Sequence, residues 1–130
     1  DSQTITRDGC GWYTSYYCEE NVLRLYKSLA DDATAAGVEL HVLFVSNVTR
    51  QVPIWCQVLA EDENQPVLWD YHVLLLARHP DANWIYDLDS SLPFPTPASE
   101  YMTRAFHEDE SIDERFRQIF RVVPAAECWA

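Results

Sequence analysis

Three short runs in this 130-residue chain carry the residue types that thiol-based acyl transfer needs. Tyr17-Cys18-Glu19-Glu20-Asn21 heads an apolar-striped segment, while Trp69-Asp70-Tyr71-His72-Val73 and Ile85-Tyr86-Asp87-Leu88-Asp89 fall in strand-like runs. A thiol, an imidazole and a carboxylate therefore stand on three separate elements. Such chemistry needs a nucleophile, a base to take its proton, and an orienter for the base.

The elements that must position these groups follow from local pattern. Ser15 suits a helix N-cap and would put Cys18 in the first turn. Val22, Leu25, Tyr26 and Leu29 recur at helical spacing, which predicts a helix over about residues 16–30, closed by Asp31-Asp32 and Gly37. Residues 41–47 read as a buried strand, and a strand over about 51–58 is limited by Pro53 to an edge or bulge position. A long strand is predicted from Val67 to Arg78, a turn at His79-Pro80-Asp81-Ala82-Asn83, and a strand from Trp84 to Leu88. A second helix over about 98–107 should bury Tyr101, Met102, Ala105 and Phe106. Ser111-x-x-Glu114 matches a capping box before a short helix, and a last strand covers about 118–123. Helices around antiparallel strands joined by tight turns make this an α+β chain, read as one domain over residues 1–130.

Each candidate has an ordinary structural reading beside the chemical one. A first-turn Cys18 would meet unsatisfied N–H groups and the positive end of the helix dipole, which favour thiolate; most cysteines are simply small buried hydrophobes. Glu19 and Glu20 suit a helix start but oppose a neighbouring thiolate. An imidazolium at ~4 Å contributes about 4 kcal/mol at an effective dielectric of 20, and an exposed carboxylate ~8 Å away opposes by about 1 kcal/mol or less. A close histidine would dominate. His72 is the candidate, on a continuous strand whose one face carries Asp70, His72, Leu74 and Leu76 and whose other carries Trp69, Tyr71, Val73 and Leu75. A core histidine bonded to a backbone carbonyl is the competing reading. His41, His79 and His107 are weaker candidates. If the strands on either side of residues 79–83 form a hairpin, Asp87 can lie near His72 and fix its tautomer. Asp89 shares the same strand parity, and the pattern alone leaves the two carboxylates even.

Composition bounds the partners. Nearly half of the residues are apolar (48%), with five Trp and seven Tyr, and the formal net charge is −12. That charge argues against nucleic acid and anionic membrane, and favours a cationic ligand such as a peptide amino terminus. No apolar run is long enough to span a bilayer, and no signal peptide is visible. The start at Asp1 rather than Met suggests that something before it has been removed, and the abrupt stop at Cys128-Trp129-Ala130 suggests a chain shortened at its C-terminus. Cys10, Cys18, Cys56 and Cys128 form no C-x-x-C pair, so no structural metal is expected. Two disulfides would allow three connectivities, while sparse cysteines in a Trp- and Leu-rich domain fit a reduced cytosolic protein better.

The three runs, with Tyr86-Asp87-Leu88-Asp89-Ser90-Ser91-Leu92-Pro93-Phe94-Pro95 extending the third, closely resemble the protein N-terminal glutamine amidohydrolase family. Val45-Ser46-Asn47, Pro53-Ile54-Trp55 and the Phe116-Arg117…Phe120-Arg121-Val122 stretch add to the likeness, which covers about residues 13–124 in the family's order. The W-D-Y-H-V string is highly specific to it; C-E-E-N alone would be weak. The resemblance implies deamidation of an N-terminal Gln to Glu with release of ammonia, through a Cys thioester, feeding arginylation and the N-degron route. It also implies a papain/transglutaminase-like fold and a catalytic triad of Cys18, His72 and Asp87, which breaks the tie with Asp89. Family members continue beyond the equivalent of Ala130, and that tail helps complete their substrate site. A monomer is expected, without cofactor, in the cytoplasm and also the nucleus.

An N-terminal Gln must be recognised through its free ammonium. Glu20 and Asp70, with Glu19 beside them, are candidate substrate-binding carboxylates, and Trp69, with Tyr71, a candidate wall of the site. Two rival readings predict different behaviour. Another papain/transglutaminase-like thiol enzyme would cleave internal peptide bonds or transfer amines. A non-catalytic amino-terminus-binding module would hold peptides after loss of Cys18.

Overall fold

Residues 18–108, 110 and 112–128 are described by the structure, a computed structural model. Helix α1 spans Cys18–Ala36, and its stripe of Cys18, Val22, Leu25, Leu29 and Ala33 is buried together with Asn21. It runs six residues past the predicted end. Asp31 and Asp32 face solvent and leave the stripe intact, whereas Gly37 adopts φ 72, the left-handed conformation that stops a helix. The backbone N–H of Gly37 donates to Thr34 and that of Val38 to Ala33, satisfying the last carbonyls. The predicted cap, Ser15, lies outside the described residues.

Among the described residues, seven strands follow the helix: β1 (Glu39–Ser46), β2 (Val52–Ile54), β3 (Val67–Trp69), β4 (His72–Arg78), β5 (Asn83–Tyr86), β6 (Thr96–Pro97) and β7 (Ile119–Pro124). Five of them form an antiparallel sheet in the order β6-β5-β4-β1-β7, and β2 and β3 form a separate ribbon. Side chains alternate across the sheet. Val73, Leu75 and Ala77 of β4 meet the α1 stripe, while Leu74 joins Leu43, Val45 and Ile85 beneath helix α2 (Ala98–Arg104). Leu25 is fully buried, worth about 1.5–3 kcal/mol relative to exposure. Edge strand β7 leaves Ile119, Phe120 and Val122 exposed and leads into the short helix α3 (Ala125–Cys128).

The predicted strand from Val67 to Arg78 is broken. Asp70 Oδ1 accepts the N–H of Tyr71, the chain turns there, and β3 leaves the main sheet to pair with β2. Trp69 is thereby freed from the alternation that set it on the face opposite His72. The strand over 51–58 also shortens to Val52–Ile54, because Trp55 N–H turns to Ala105 O and Cys56 adopts φ 57. Helix α2 stops at Arg104, with Ala105 and Phe106 buried just after it. Ser111 of the expected capping box lies outside the described residues; Asp113 instead caps a 3-10 turn at Glu114–Phe116, accepting from Arg115 N. Among the described residues, no helix is long and apolar enough to cross a membrane.

Candidate active site

Cys18, His72 and Asp87 each stand at the end of an element. Cys18 is the first residue of α1 and His72 the first of β4, and Asp87 follows the last residue of β5. All three are buried, His72 completely. The β4–β5 hairpin pairs Leu75 with Tyr86, so its register, continued past the strand end, would set Asp89 opposite His72. The chain does not continue straight. Ser90 N–H donates back to Asp87 O, and the turn brings Asp87 Oδ1 to 3.0 Å from His72 Nε2, with Asp89 Oδ2 at 3.8 Å.

The Asp87 carboxylate is held from every side. Oδ1 accepts from His72 Nε2–H and from the backbone N–H of Asp89 at 3.0 Å; Oδ2 accepts from Gln57 Nε2 at 3.0 Å and from the Tyr101 hydroxyl. Burial pushes its pKa up most strongly, but His72, Tyr101 and Gln57 together hold it below the usual carboxylate range. Burial likewise opposes charge on His72, and Asp87, followed by Cys18, overcomes it and raises the imidazole pKa to about 10. Burial and the Asp87 charge keep Tyr101 protonated well above its ordinary range.

With Nε2 committed to Asp87, the imidazole has Nδ1 left. That atom is buried and has no partner in hydrogen-bond geometry among the described residues. Cys18 is its chemical counterpart, near enough that its charge favours the imidazolium. Trp69 stacks on the ring, with centroids 4.3 Å apart and planes 22° from parallel. Its indole N–H donates to Gln57 Oε1 at 3.2 Å. His72, Asp87 and Asp89 each offer a ligand atom within 4.8 Å of one another, but the oxygens of Asp87 are already filled by four donors.

The remaining candidates lie closer to solvent. Glu20 is exposed and paired with Arg24 at 2.7 Å. Asp70 is exposed beside its own bond to Tyr71 N–H. Glu19 Oε1 accepts from the Tyr71 hydroxyl at 3.3 Å, linking the residue after the thiol to the residue before the imidazole. The Tyr71 phenol is pushed up by burial, Glu19 and Cys18, which places all three groups in one electrostatic neighbourhood. His41 lies in β1, His79 in the β4–β5 turn, and His107 stacks on Trp55 after α2. Cys18, Cys56 and Cys128 are free thiols, and Cys10 lies outside the described residues. Gln57 and Tyr101 were not singled out for the site from sequence. Tyr101 could be read only as core, and nothing near Gln57 in the chain announces a carboxylate 30 residues on.

A family model described as N-terminal glutamine amidase matches residues 13–129. The chain is similar to proteins named protein N-terminal glutamine amidohydrolase. It is 42% identical over 120 residues to that of Bos taurus, covering 92% of this chain and 57% of that protein. It is 38% identical over 130 residues to that of Arabidopsis thaliana, covering 95% and 59%, and 42% identical over 120 residues to that of Homo sapiens, covering 92% and 58%. The chain thus spans between 57% and 59% of the length of these relatives.

Proposed function

We propose that this chain, which belongs to the N-terminal glutamine amidase family, carries the reactive centre of an enzyme that deamidates N-terminal Gln to Glu. The observation that carries the proposal is His72, wholly buried with one ring nitrogen on Asp87 and the other left for Cys18. A papain/transglutaminase-like arrangement is part of the proposal, and what supports it is a cysteine in the first turn of a helix, a histidine on an antiparallel strand and a carboxylate after the next strand.

In the proposed reaction the Cys18 proton passes to His72 Nδ1 and the thiolate attacks the side-chain carbonyl carbon of Gln. The oxyanion requires preorganised donors, each worth about 2.7–4 kcal/mol at such sites. The backbone N–H of Cys18, in the first turn of α1, is the first of these. His72 then protonates the leaving nitrogen, ammonia departs, and a glutamyl thioester remains. Water gives its proton to His72 and attacks the thioester; the returning proton regenerates the thiol and releases Glu. Asp87 fixes the ring so that Nδ1 faces sulfur throughout, and supports the imidazolium formed in each half.

Selection of a free amino terminus falls to the acidic rim. The α-ammonium of a bound Gln lies only three carbons from the reacting amide carbon. Glu19 adjoins Cys18 and is turned toward the β4 start by Tyr71, with Asp70 and Glu20 nearby in the chain. Trp69 backs the imidazole as a buried wall behind the proposed site. The test is mass spectrometry of Gln-starting peptides incubated with the protein. Conversion of the terminal amide to acid, with ammonia released, is expected; an unchanged peptide, or cleavage at internal bonds, overturns the reading.

A further inference from the structure

We propose that Gln57 is a positioning residue that decides which of two buried carboxylates, Asp87 or Asp89, orients His72. Both are candidates by geometry, at 3.0 and 3.8 Å from Nε2, and the hairpin register by itself favours Asp89. Something must hold Asp87 in the nearer place. Its Oδ2 accepts from the Gln57 amide and the Tyr101 hydroxyl, which leaves Oδ1 turned toward the imidazole.

The Gln57 amide can take only one orientation. Its Oε1 accepts the indole N–H of Trp69, which has no acceptor capacity of its own, so Nε2 must face Asp87. Flipping it would set Oε1 against the carboxylate and an NH2 against the indole N–H. The indole ring that fixes this amide is the same ring stacked on His72. One buried side chain thereby holds the orienter by one atom and the plate over the base by the other.

The backbone is shaped for this. Cys56, immediately before Gln57, has φ 57, a left-handed conformation disfavoured for a side-chain-bearing residue, which the surrounding contacts must hold. Ser91 N–H donates to Cys56 O and Val58 N–H to Asp89 O, both at 2.8 Å, and Gln57 bridges to Ser90. The segment that carries Gln57 is thus bolted to the turn that carries both aspartates, and Asp89 is held through its main chain.

The inference rests on the amidase reading only for one of its two assays. Gln57→Leu and Asp89→Asn are made singly and together. kcat and KM are measured on a Gln-starting peptide, and the pH profile of Cys18 alkylation by iodoacetamide is followed in parallel. In Gln57→Leu, kcat should fall by about tenfold or more with KM little changed, and the alkylation profile should move because His72 is less well held. Asp89→Asn alone should be mild. In the Gln57→Leu background Asp89 becomes the available orienter, so its replacement should cost about a further tenfold, a non-additivity that a merely structural Gln57 would not produce. Gln57→Glu supplies the conservative arm: it should be active at low pH, where the acid donates to Asp87, and lose activity as it ionises. Equal, mild effects of Asp89→Asn in both backgrounds, or an unmoved alkylation profile in folded Gln57→Leu, overturn the inference. Absence of deamidation in the unsubstituted protein overturns the amidase reading instead, and the alkylation profiles still decide the role of Gln57.

Discussion

Asp87→Asn strikes the candidate site at its best-connected atom pair. Four groups among the described residues donate to this carboxylate: His72, the Asp89 N–H, Gln57 and Tyr101. An amide offers one accepting oxygen and one donating nitrogen. If the oxygen stays with His72, the nitrogen confronts the Gln57 amide, which cannot flip because Trp69 holds it. One buried donor is then opposed by another, at a cost of about 1–3 kcal/mol in stability. The larger loss is electrostatic. Burial alone would depress the charged form of His72, and Asp87 is the first group that overcomes it, to a pKa of about 10 against an ordinary 6.5. Losing that support lowers the pKa toward or below the ordinary value, a differential of roughly 4–5 kcal/mol between the two protonation states. Both imidazolium-forming steps of the proposed reaction feel this, and kcat should fall by roughly 10³–10⁴-fold with the fold retained. The stability gap between the parent and the variant should depend on pH in a definite way. His72, with its pKa raised on folding, contributes stability that is complete below 6.5 and disappears as pH rises through about 10. Asp87, with its pKa lowered, contributes above its ordinary 3.8 and loses that contribution as pH falls through the folded value. The gap should therefore be widest between pH 3.8 and 6.5. NMR titration of the His72 ring, steady-state kinetics and denaturant unfolding across pH measure the three quantities. A variant that keeps most of its kcat, or whose His72 still titrates near the parent value, refutes the reasoning.

Cys18→Ala should abolish deamidation while peptide binding, measured by calorimetry, persists; Cys56→Ser should retain most activity, and iodoacetamide should label Cys18 before Cys56 or Cys128, as peptide mapping would show. An acetylated Gln terminus should fail as substrate in competition assays, because a carboxylate set to meet the ammonium is left unpaired at a cost of about 2–5 kcal/mol. N-terminal Asn should fail too, its amide carbon standing one methylene short of Cys18, and Glu19→Gln should raise KM for Gln peptides more than Glu20→Gln does. Gly37→Ala should destabilise by about 1–2 kcal/mol in thermal unfolding, wholly from its left-handed φ of 72, since an added Cβ meets nothing within 4 Å.

The parts of this molecule that repeat with a period could be read from the chain. The stripe of Val22, Leu25 and Leu29 defined α1, and the apolar runs on both sides of the His79–Asn83 turn defined the β4–β5 hairpin. The irregular points could not, because each depends on partners distant in sequence. Nothing local announces the break at Asp70-Tyr71 that detaches β3, and alternation therefore misplaced Trp69 relative to His72. Parity could not separate Asp87 from Asp89, since a two-residue step returns to the same face. Resemblance favoured Asp87, and the turn after Tyr86, which brings its carboxylate nearer to His72 than that of Asp89, is not visible in the alternation. The short strand Val52–Ile54 hid Gln57 in the same way: a polar residue after an apolar run looks like any strand end.

His72 and Asp87 are 15 residues apart and are joined by one hairpin, whereas Cys18 comes from a helix at the far end of the described chain. Contacts close in sequence form early and distant ones late, because loop closure must precede them. The base and its orienter can therefore meet while the hairpin zips, but the sulfur joins them only when α1 docks. A chain in which α1 is undocked would, under the proposed reading, carry Cys18 as an ordinary thiol. Under the proposed reaction, thiol reactivity would therefore depend on the docking of α1, and a chain whose helix comes away from the sheet would lose it while keeping the His72–Asp87 pair.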